Sequence, residues 1–269
     1  MSKDKPLWNN DALKNLFKAK PAPSQPKPTT PKNPPGMYVF KIELDGITPK
    51  IWRRVKVDPA TSLDLFHTTI QCAMGWSNYH LHKFIYEGKE YYQDPEEVRY
   101  FHSCGSACKK DGEKMKHNIN LDEMDLKVGG KIFYEYDFGD CWEHTIYFEK
   151  IVDKVEGEEL PMLLAGRNAC PPEDVGGRWG YARMLELLKT KGEGKYAKDY
   201  KDRMEWLYAL AYVGEDEEFD AKKFDLKENQ PTFSLGVYNQ HKAHEEHFGY
   251  WNIEKKYFLS YFQSIVREI

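Results

Sequence analysis

Apolar and polar residues alternate with the period of β-strands in the first half of the chain. In residues 38–44 and 51–57 apolar side chains recur at every second position, and Asp45-Gly46 lies between the two runs. A period of two puts alternate side chains on one face of a strand, so we predict a β-hairpin. Further strands are predicted on the same ground at residues 80–86, 90–92, 131–138 and 142–152.

Helical periodicity follows the first hairpin and returns in the second half. Thr61-Ser62 is a typical N-cap, apolar residues then recur with helical spacing from Leu63 to Met74, and Gly75 is a typical helix end. Three later helices are predicted at residues 180–188, 196–213 and 251–269, and residues 93–120 are predicted to form a long polar loop. Because strands cluster early and helices late, we expect an α+β fold: an antiparallel sheet of hairpins with helices packed on one face, plus a C-terminal helical segment.

Three regions are expected along the chain. Residues 1–36 hold seven Lys against two Asp, and seven of the fifteen residues from Pro21 to Pro35 are proline, so this region should be a basic tail and an extended linker. Residues 37–230 should form the α+β domain, and residues 231–269 a C-terminal amphipathic helical extension. The tail or the C-terminal helix would serve to bind a protein partner.

Composition and charge narrow the classes of function. The net charge is −4, and a mildly acidic chain is a poor candidate for binding nucleic acid through its phosphates. No apolar run approaches the length of a membrane span, and the first residues lack the apolar core of a signal peptide. These features indicate a cytoplasmic protein without a membrane partner, and the five irregularly spaced cysteines indicate reduced thiols.

Four ordered stretches carry a resemblance to a known family. They are GITPKIWRRVKV (46–57), IQCAMGWSNYHLHKF (70–84), YEYDFGDCWEHTI (134–146) and ACPPEDVGGRWGY (169–181). Together they resemble the plasmid pRiA4b ORF-3-like family over about residues 37–230. The resemblance implies an association with plasmids and mobile elements, and it implies no defined activity or cofactor.

Imidazole and carboxylate side chains recur in these motifs. His80 and His82 share one face of a predicted strand, which is suitable geometry for two metal ligands. Asp137 and Asp140 flank a hairpin turn and His144 follows on the return strand, so all three can reach one rim. The alternative interpretation is ordinary: one imidazole packs in the core, and the aspartates bind backbone N–H groups within the turn.

Two further motifs add charge. Glu173 and Asp174 lie between two prolines and two glycines, on a loop stiff enough for a site, although they could equally cap the next helix. Arg53 shares a strand face with Ile51, Val55 and Val57, and Arg54 shares the other face with Trp52 and Lys56, so one of the two arginines should lie near the core side. A buried guanidinium requires compensation, and we expect a carboxylate partner from Glu173, Asp174, Asp137 or Asp140.

These motifs together predict one polar cluster beside aromatic rings. The expected cluster comprises Arg53, Arg54, His80, His82, Asp137, Asp140, His144, Glu173 and Asp174. The expected aromatic cleft comprises Trp52, Trp76, Tyr136 and Trp142. A structural ion-pair network remains the alternative to a ligand site.

No complete catalytic motif is present in the sequence, and no catalytic residue is assigned. We therefore favour a binding or adaptor module. One alternative is a metal-assisted hydrolase or nuclease-like enzyme that uses the His/Asp/Glu cluster, with a divalent metal held by His82, Asp137 and His144. Another is a nucleic-acid-binding protein of a mobile element.

Overall fold

The fold is taken from a computed structural model of the chain. It describes residues 35–92, 113–116, 119–210, 212–214 and 217–246. The tail at 1–34 and the helix expected at 251–269 lie outside the described residues.

An eight-stranded sheet forms the centre of the described structure. Its strands are β1 (Met37–Leu44), β2 (Ile51–Val57), β3 (His82–Tyr86), β4 (Lys89–Tyr92), β5 (Glu113–Lys116), β6 (Lys131–Tyr136), β7 (Trp142–Val152) and β8 (Met162–Arg167). They lie in the order β5-β4-β3-β6-β7-β1-β2-β8. Neighbouring strands are antiparallel, except that β5 runs parallel to β4.

Four α-helices complete the described structure: α1 (Leu63–Met74), α2 (Gly177–Thr190), α3 (Ala197–Ala209) and α4 (Leu226–Glu246). Short 3-10 helices cover Leu121–Glu123 and Gly194–Tyr196. The Ser62 hydroxyl caps α1 by accepting a hydrogen bond from the Leu65 amide, and Gly75 ends α1 in a left-handed conformation. The predicted α+β class and the boundaries of α1 are therefore confirmed. None of the described helices is both long and apolar enough to cross a bilayer.

The hydrophobic core lies between α1 and one face of the sheet, which we call the inner face. The Phe66 ring on α1 packs 4.9 Å from Phe40 on β1 and 5.9 Å from Phe84 on β3, measured between ring centroids. Phe233 and Val237 on α4 are buried in the same core. The opposite, outer face carries the polar residues that alternate with the core residues along β1, β2 and β7.

Several elements differ from the sequence predictions. β3 begins at His82 and not at residue 80, so His80 lies in the preceding loop. β5 lies inside the predicted loop at 93–120, and β8 was not predicted. The expected C-terminal helical segment is confirmed by α4, although α4 begins at Leu226 and not at residue 231. α4 also runs across the expected boundary between residues 230 and 231, and the boundary falls inside one continuous helix.

Candidate functional site

Three segments from distant parts of the chain meet at one end of the sheet. They are the loop 77–81 before β3, the turn 137–141 between β6 and β7, and residues 173–177, which lead into the first residue of α2. The Asp137 amide donates to the Leu81 carbonyl at 2.9 Å, which joins the first two segments. The Gly176 amide donates to Asp140 Oδ2 at 3.1 Å, which joins the second and third. We call these three segments the rim.

One imidazole and two carboxylates converge in the rim. His80 Nε2 lies 3.0 Å from Asp174 Oδ1 and 3.7 Å from Asp137 Oδ2, and one ligand atom from each of the three residues lies within 4.8 Å of the other two. The side chains of His80, Asp137 and Asp174 are 30%, 12% and 46% exposed, so solvent and ligands can reach them. We call these three residues the rim triad.

The backbone holds both carboxylates of the triad in an uncommon conformation. The φ angles are 56° at Asp137 and 58° at Asp174, in the left-handed region where Asp is one of the few tolerated residues. Asp137 Oδ1 accepts a hydrogen bond from the Gly139 amide at 2.9 Å, which leaves Oδ2 directed toward His80. Such conformations persist only where the surrounding structure enforces them, and they concentrate at functional sites.

Glycine is required where the third segment meets the turn. A side chain at Gly177 would place its Cβ 2.4 Å from the Asp140 carbonyl oxygen, and Gly177 has a φ of 61°. Only glycine combines this close approach with this conformation at little cost. The pair of glycines after Asp174 therefore permits the loop to lie against the turn that carries Asp137.

A buried pair of side chains, Tyr136 and Glu173, connects the three rim segments from below. The Tyr136 hydroxyl donates to Glu173 Oε1 at 2.6 Å, and the Ser77 amide donates to Oε2 at 2.7 Å. The Tyr79 amide donates to the Tyr136 hydroxyl at 3.1 Å. Because each of these residues is near a triad residue in sequence, the pair fixes the three segments relative to one another. Burial and the nearby Glu173 carboxylate raise the pKa of Tyr136, so its hydroxyl remains a donor.

A second layer of polar contacts lies deeper and involves a histidine that sequence reasoning missed. His67 on α1 bonds the Tyr134 hydroxyl through Nδ1 at 2.8 Å and Asn78 Oδ1 through Nε2 at 2.6 Å. Asn78 lies in the first rim segment, so His67 helps to hold the loop that carries His80. His67 follows Leu63 by four residues and lies on the buried stripe of α1. A polar residue on the apolar stripe of a predicted helix is the sequence feature that could have indicated this contact.

The remaining histidines of the expected cluster lie in the core and not in the rim. The His82 ring stacks on His67 with the centroids 3.4 Å apart. His144 is fully buried, bonds the Trp142 carbonyl through Nδ1 at 3.0 Å, and packs 5.4 Å from Trp76. Burial lowers the pKa of His144 to about 4, which keeps the imidazole neutral. Of the expected metal ligands His82, Asp137 and His144, the structure brings only Asp137 to the rim.

The two adjacent arginines are also separate from the rim triad. Of the two arginines, Arg53 is the one buried on the inner face, and the expectation of a carboxylate partner for it is wrong. Its guanidinium donates to the carbonyls of Ala73, Arg167 and Trp52 and to the sulfur of Cys170. The carbonyl of Ala73 belongs to the last turn of α1, where the helix dipole favours a cation. Arg54 lies on the outer face and pairs with Glu149 at 2.6 Å.

The expected aromatic cleft is a buried stack together with one distant ring. Trp76, Tyr136 and Trp142 are buried, and the Trp76 ring lies 5.2 Å from Tyr136 and 5.8 Å from Trp142. Trp52 lies on the outer face beneath Arg54, whose guanidinium carbon is 5.1 Å from the ring centroid. The three buried rings fill the space between the end of α1 and the sheet, so they support the rim and do not line an open cleft.

The rim is electrostatically negative. Burial raises the pKa of the Cys141 thiol, and the carboxylates of Glu135, Glu143, Asp137 and Asp140 raise it further. These acids surround the turn that carries Asp137, and Asp174 lies in the third rim segment. Lys83 pairs with Glu135 at 3.1 Å, so the negative charge comes from the other carboxylates. A cation is therefore favoured in the rim, and an isolated anion is disfavoured.

Comparisons with known proteins place the chain in a family. A model of the plasmid pRiA4b ORF-3-like protein family matches residues 36–228. The uncharacterized protein y4hQ of Sinorhizobium fredii (strain NBRC 101917 / NGR234) is 36% identical over 174 residues, which are 64% of this chain and 81% of that protein. The crystal structure of MM3350, a protein of unknown function from Methanosarcina mazei Go1, is similar with a TM-score of 0.56 and 33% identity, covering 72% of this chain and 96% of that chain. Since the family model covers most of the chain and all three rim segments, this chain belongs to the plasmid pRiA4b ORF-3-like family.

Proposed function

We propose that this chain is a binding module and that the rim is where it holds a cationic ligand. The observation that carries the proposal is the convergence of His80, Asp137 and Asp174 from three separate segments. Further carboxylates, those of Asp140 and Glu143, lie near the turn that carries Asp137. A concentration of negative charge at an accessible edge favours a ligand of opposite charge.

The rim also has the rigidity that recognition requires. Ligand-binding groups need supporting residues whose own positions are fixed, and buried hydrogen bonds provide that support. Here Tyr136 and Glu173 connect all three segments, and His67 holds the first segment through Asn78. The site is therefore arranged before the ligand arrives, which lowers the entropic cost of binding.

Ligand-induced stabilisation of the full chain tests this proposal. The probes are zinc, manganese, magnesium and calcium ions and an arginine-rich peptide, each added during thermal unfolding of the protein. At least one probe should raise the midpoint in the wild type, because a ligand that binds only the folded state stabilises it. Asp137→Asn and Asp174→Asn should abolish the shift, since Asn keeps the shape and tolerates the left-handed backbone.

Asp199→Asn is the matched control. Asp199 is an exposed carboxylate on α3 that pairs with Arg183, and it does not belong to the rim. Removing the Asp199 carboxylate should leave the ligand-induced rise in the unfolding midpoint unchanged. The proposal fails if no probe stabilises the wild type, or if the shift survives both rim substitutions.

The adaptor part of the proposal concerns the regions beyond the domain. The basic tail at residues 1–36, or the C-terminal helical extension at 231–269, would contact a protein partner in the cytoplasm. Deleting residues 1–36 should then abolish capture of a defined partner while the domain keeps its unfolding midpoint. An unchanged interaction would exclude the tail as the contact.

A metal-assisted hydrolase is the second candidate function. The observation that favours it is the pairing of His80 with Asp174 at 3.0 Å on an accessible surface, because a carboxylate that orients an imidazole is a common general-base arrangement. Hydrolysis of phosphodiester and ester reporter substrates should then require His80 and an added divalent ion. Equal rates with the wild type and His80→Ala would exclude this function.

A further inference from the structure

We propose that the rim triad is a binding site for a divalent transition-metal ion, with His80, Asp137 and Asp174 as its three protein ligands. The inference rests on the proposed function, because it names the cation that the rim holds. The protein ligands leave coordination positions open to a water molecule or to an acceptor group of a partner.

The donor set selects the class of metal. An imidazole nitrogen is a good ligand for zinc, iron and nickel, whereas calcium and magnesium are bound almost entirely by oxygen. Zinc accepts both imidazole nitrogen and carboxylate oxygen, and its sites with an open position have three protein ligands. Because His80 is central to the triad, we expect zinc or a similar transition metal in preference to calcium or magnesium.

The geometry matches that class without rearrangement of the backbone. Ligand atoms about 2.0–2.1 Å from a tetrahedral ion lie about 3.3 Å apart. The two distances from His80 Nε2, at 3.0 and 3.7 Å, lie on either side of this value. One ligand atom from each of the three residues lies within 4.8 Å of the other two.

The surroundings of each ligand are those expected around a metal ion. Asp137 uses Oδ1 for the Gly139 amide and presents Oδ2 to the site, so the two oxygens have separate roles. The His80 ring packs against Tyr136 with the centroids 5.7 Å apart and the planes at 69°. Glu173 precedes Asp174 and is itself held by two hydrogen bonds. Such outer contacts orient metal ligands and raise the affinity of a site.

A basic side chain is a poorer occupant of the same site. An ammonium or guanidinium group would approach His80, which contributes only one acceptor atom when neutral and repels a cation when protonated. A metal ion uses that same nitrogen as a ligand, and it can draw on all three triad residues. The arginine-rich peptide is therefore the alternative that the test must separate from a metal.

Isothermal titration of the chelator-treated full chain with zinc tests the inference. The wild type should bind zinc, and His80→Ala and Asp174→Asn should each weaken the binding by at least about tenfold. Asp199→Asn should bind as the wild type does. Far-ultraviolet circular dichroism checks that each variant is folded, and the conservative Asp174→Asn variant decides the result if His80→Ala does not fold.

The outcomes distinguish a failure of the proposed metal site from a failure of the proposed binding module. Zinc binding of equal strength in the wild type and in both rim variants would overturn the metal site, because the ion would then be held elsewhere. So would an absence of zinc binding. If the arginine-rich peptide still bound the rim in either case, the binding module would stand without its metal; if neither probe bound, both proposals would fail.

Discussion

Glu173 and Asp174 are neighbours in the chain with different physical roles. Glu173 is 1% exposed and accepts hydrogen bonds from Tyr136 and Ser77, whereas the Asp174 side chain is 46% exposed and faces the rim. Adjacent acids between prolines and glycines indicate a stiff loop, but the sequence does not show which acid is buried. Which of the two acids is buried depends on which one meets the hydroxyl of Tyr136 after the chain has folded.

Substituting each acid by its amide separates the two roles. The Ser77 amide and the Tyr136 hydroxyl both donate to Glu173, and in Glu173→Gln one of these donors faces an amide N–H group. We therefore expect a loss of about 1–3 kcal/mol in the free energy of unfolding. Asp174→Asn should change the free energy of unfolding by less than about 0.5 kcal/mol, because the Asp174 side chain is exposed and Asn tolerates the same backbone conformation. Urea unfolding at neutral pH measures both. Equal losses in the two variants would contradict the assigned burial.

His144 gives a prediction about pH. Its pKa is about 4 in the folded protein because of burial, below the ordinary value of 6.5. As the pH falls below about 6.5 the unfolded chain takes up a proton that the folded chain does not, so stability falls until the pH approaches about 4. Between pH 7.5 and pH 5 this loss amounts to about 2 kcal/mol.

Replacing the imidazole removes that contribution. The His144→Leu variant should lose about 2 kcal/mol less than the wild type between the two pH values, whatever its stability at pH 7.5. Comparing the pH dependence of the two proteins cancels the effect of the other titrating groups. Identical pH dependence would show that His144 is not held neutral in the fold.

At the scale of elements, β2 places adjacent arginines on opposite faces of the sheet. Arg53 connects α1 and β8 from the inner face, and Arg54 forms a partly buried pair with Glu149 on the outer face. Arg53→Lys keeps the charge but loses the planar guanidinium with its several N–H donors. We therefore expect a loss of about 2–4 kcal/mol in the free energy of unfolding. Arg54→Lys should cost less than about 1 kcal/mol. The free energies of unfolding of the two variants provide the test, and similar losses would contradict the assigned faces.

Elements with a clear period and clear end signals were predictable from sequence. Alternation predicted the β1–β2 hairpin and that one of Arg53 and Arg54 lies near the core, and Ser62 and Gly75 marked the ends of α1. β8 was missed because its sequence, MLLAGR, does not alternate. The partners of Arg53 were also not predictable, because they are mainly backbone carbonyls that tertiary packing supplies.

At the scale of the whole molecule, α4 extends the core beyond the family match. The match ends at residue 228, yet Phe233 and Val237 are buried with the residues of α1 and the sheet. Phe233→Ala should therefore lower the free energy of unfolding by about 3–5 kcal/mol. Leu226→Ala, at an exposed position on the same helix, should cost less than about 1 kcal/mol. If Phe233→Ala were as mild as Leu226→Ala in urea unfolding, α4 would not belong to the core.

The candidate site was predictable only in part. Motifs spread over about a hundred residues predicted that His80, Asp137 and Asp174 share a location, and the structure brings them together. His82 and His144 carry the same chemical signal but point into the core, because strand pairing and not residue type decides which imidazoles reach the rim. The amides of Ser77 and Tyr79 had no sequence signal at all.

The central claim is that the rim holds a divalent transition-metal ion, and diffraction from crystals of the full chain grown with zinc tests it most directly. Anomalous scattering at the zinc absorption edge locates the ion without assumptions about its ligands. We predict a peak about 2.0–2.2 Å from His80 Nε2, Asp137 Oδ2 and Asp174 Oδ1. A rim with ordered side chains and no anomalous peak, under conditions in which zinc is present at saturating concentration, would contradict the account.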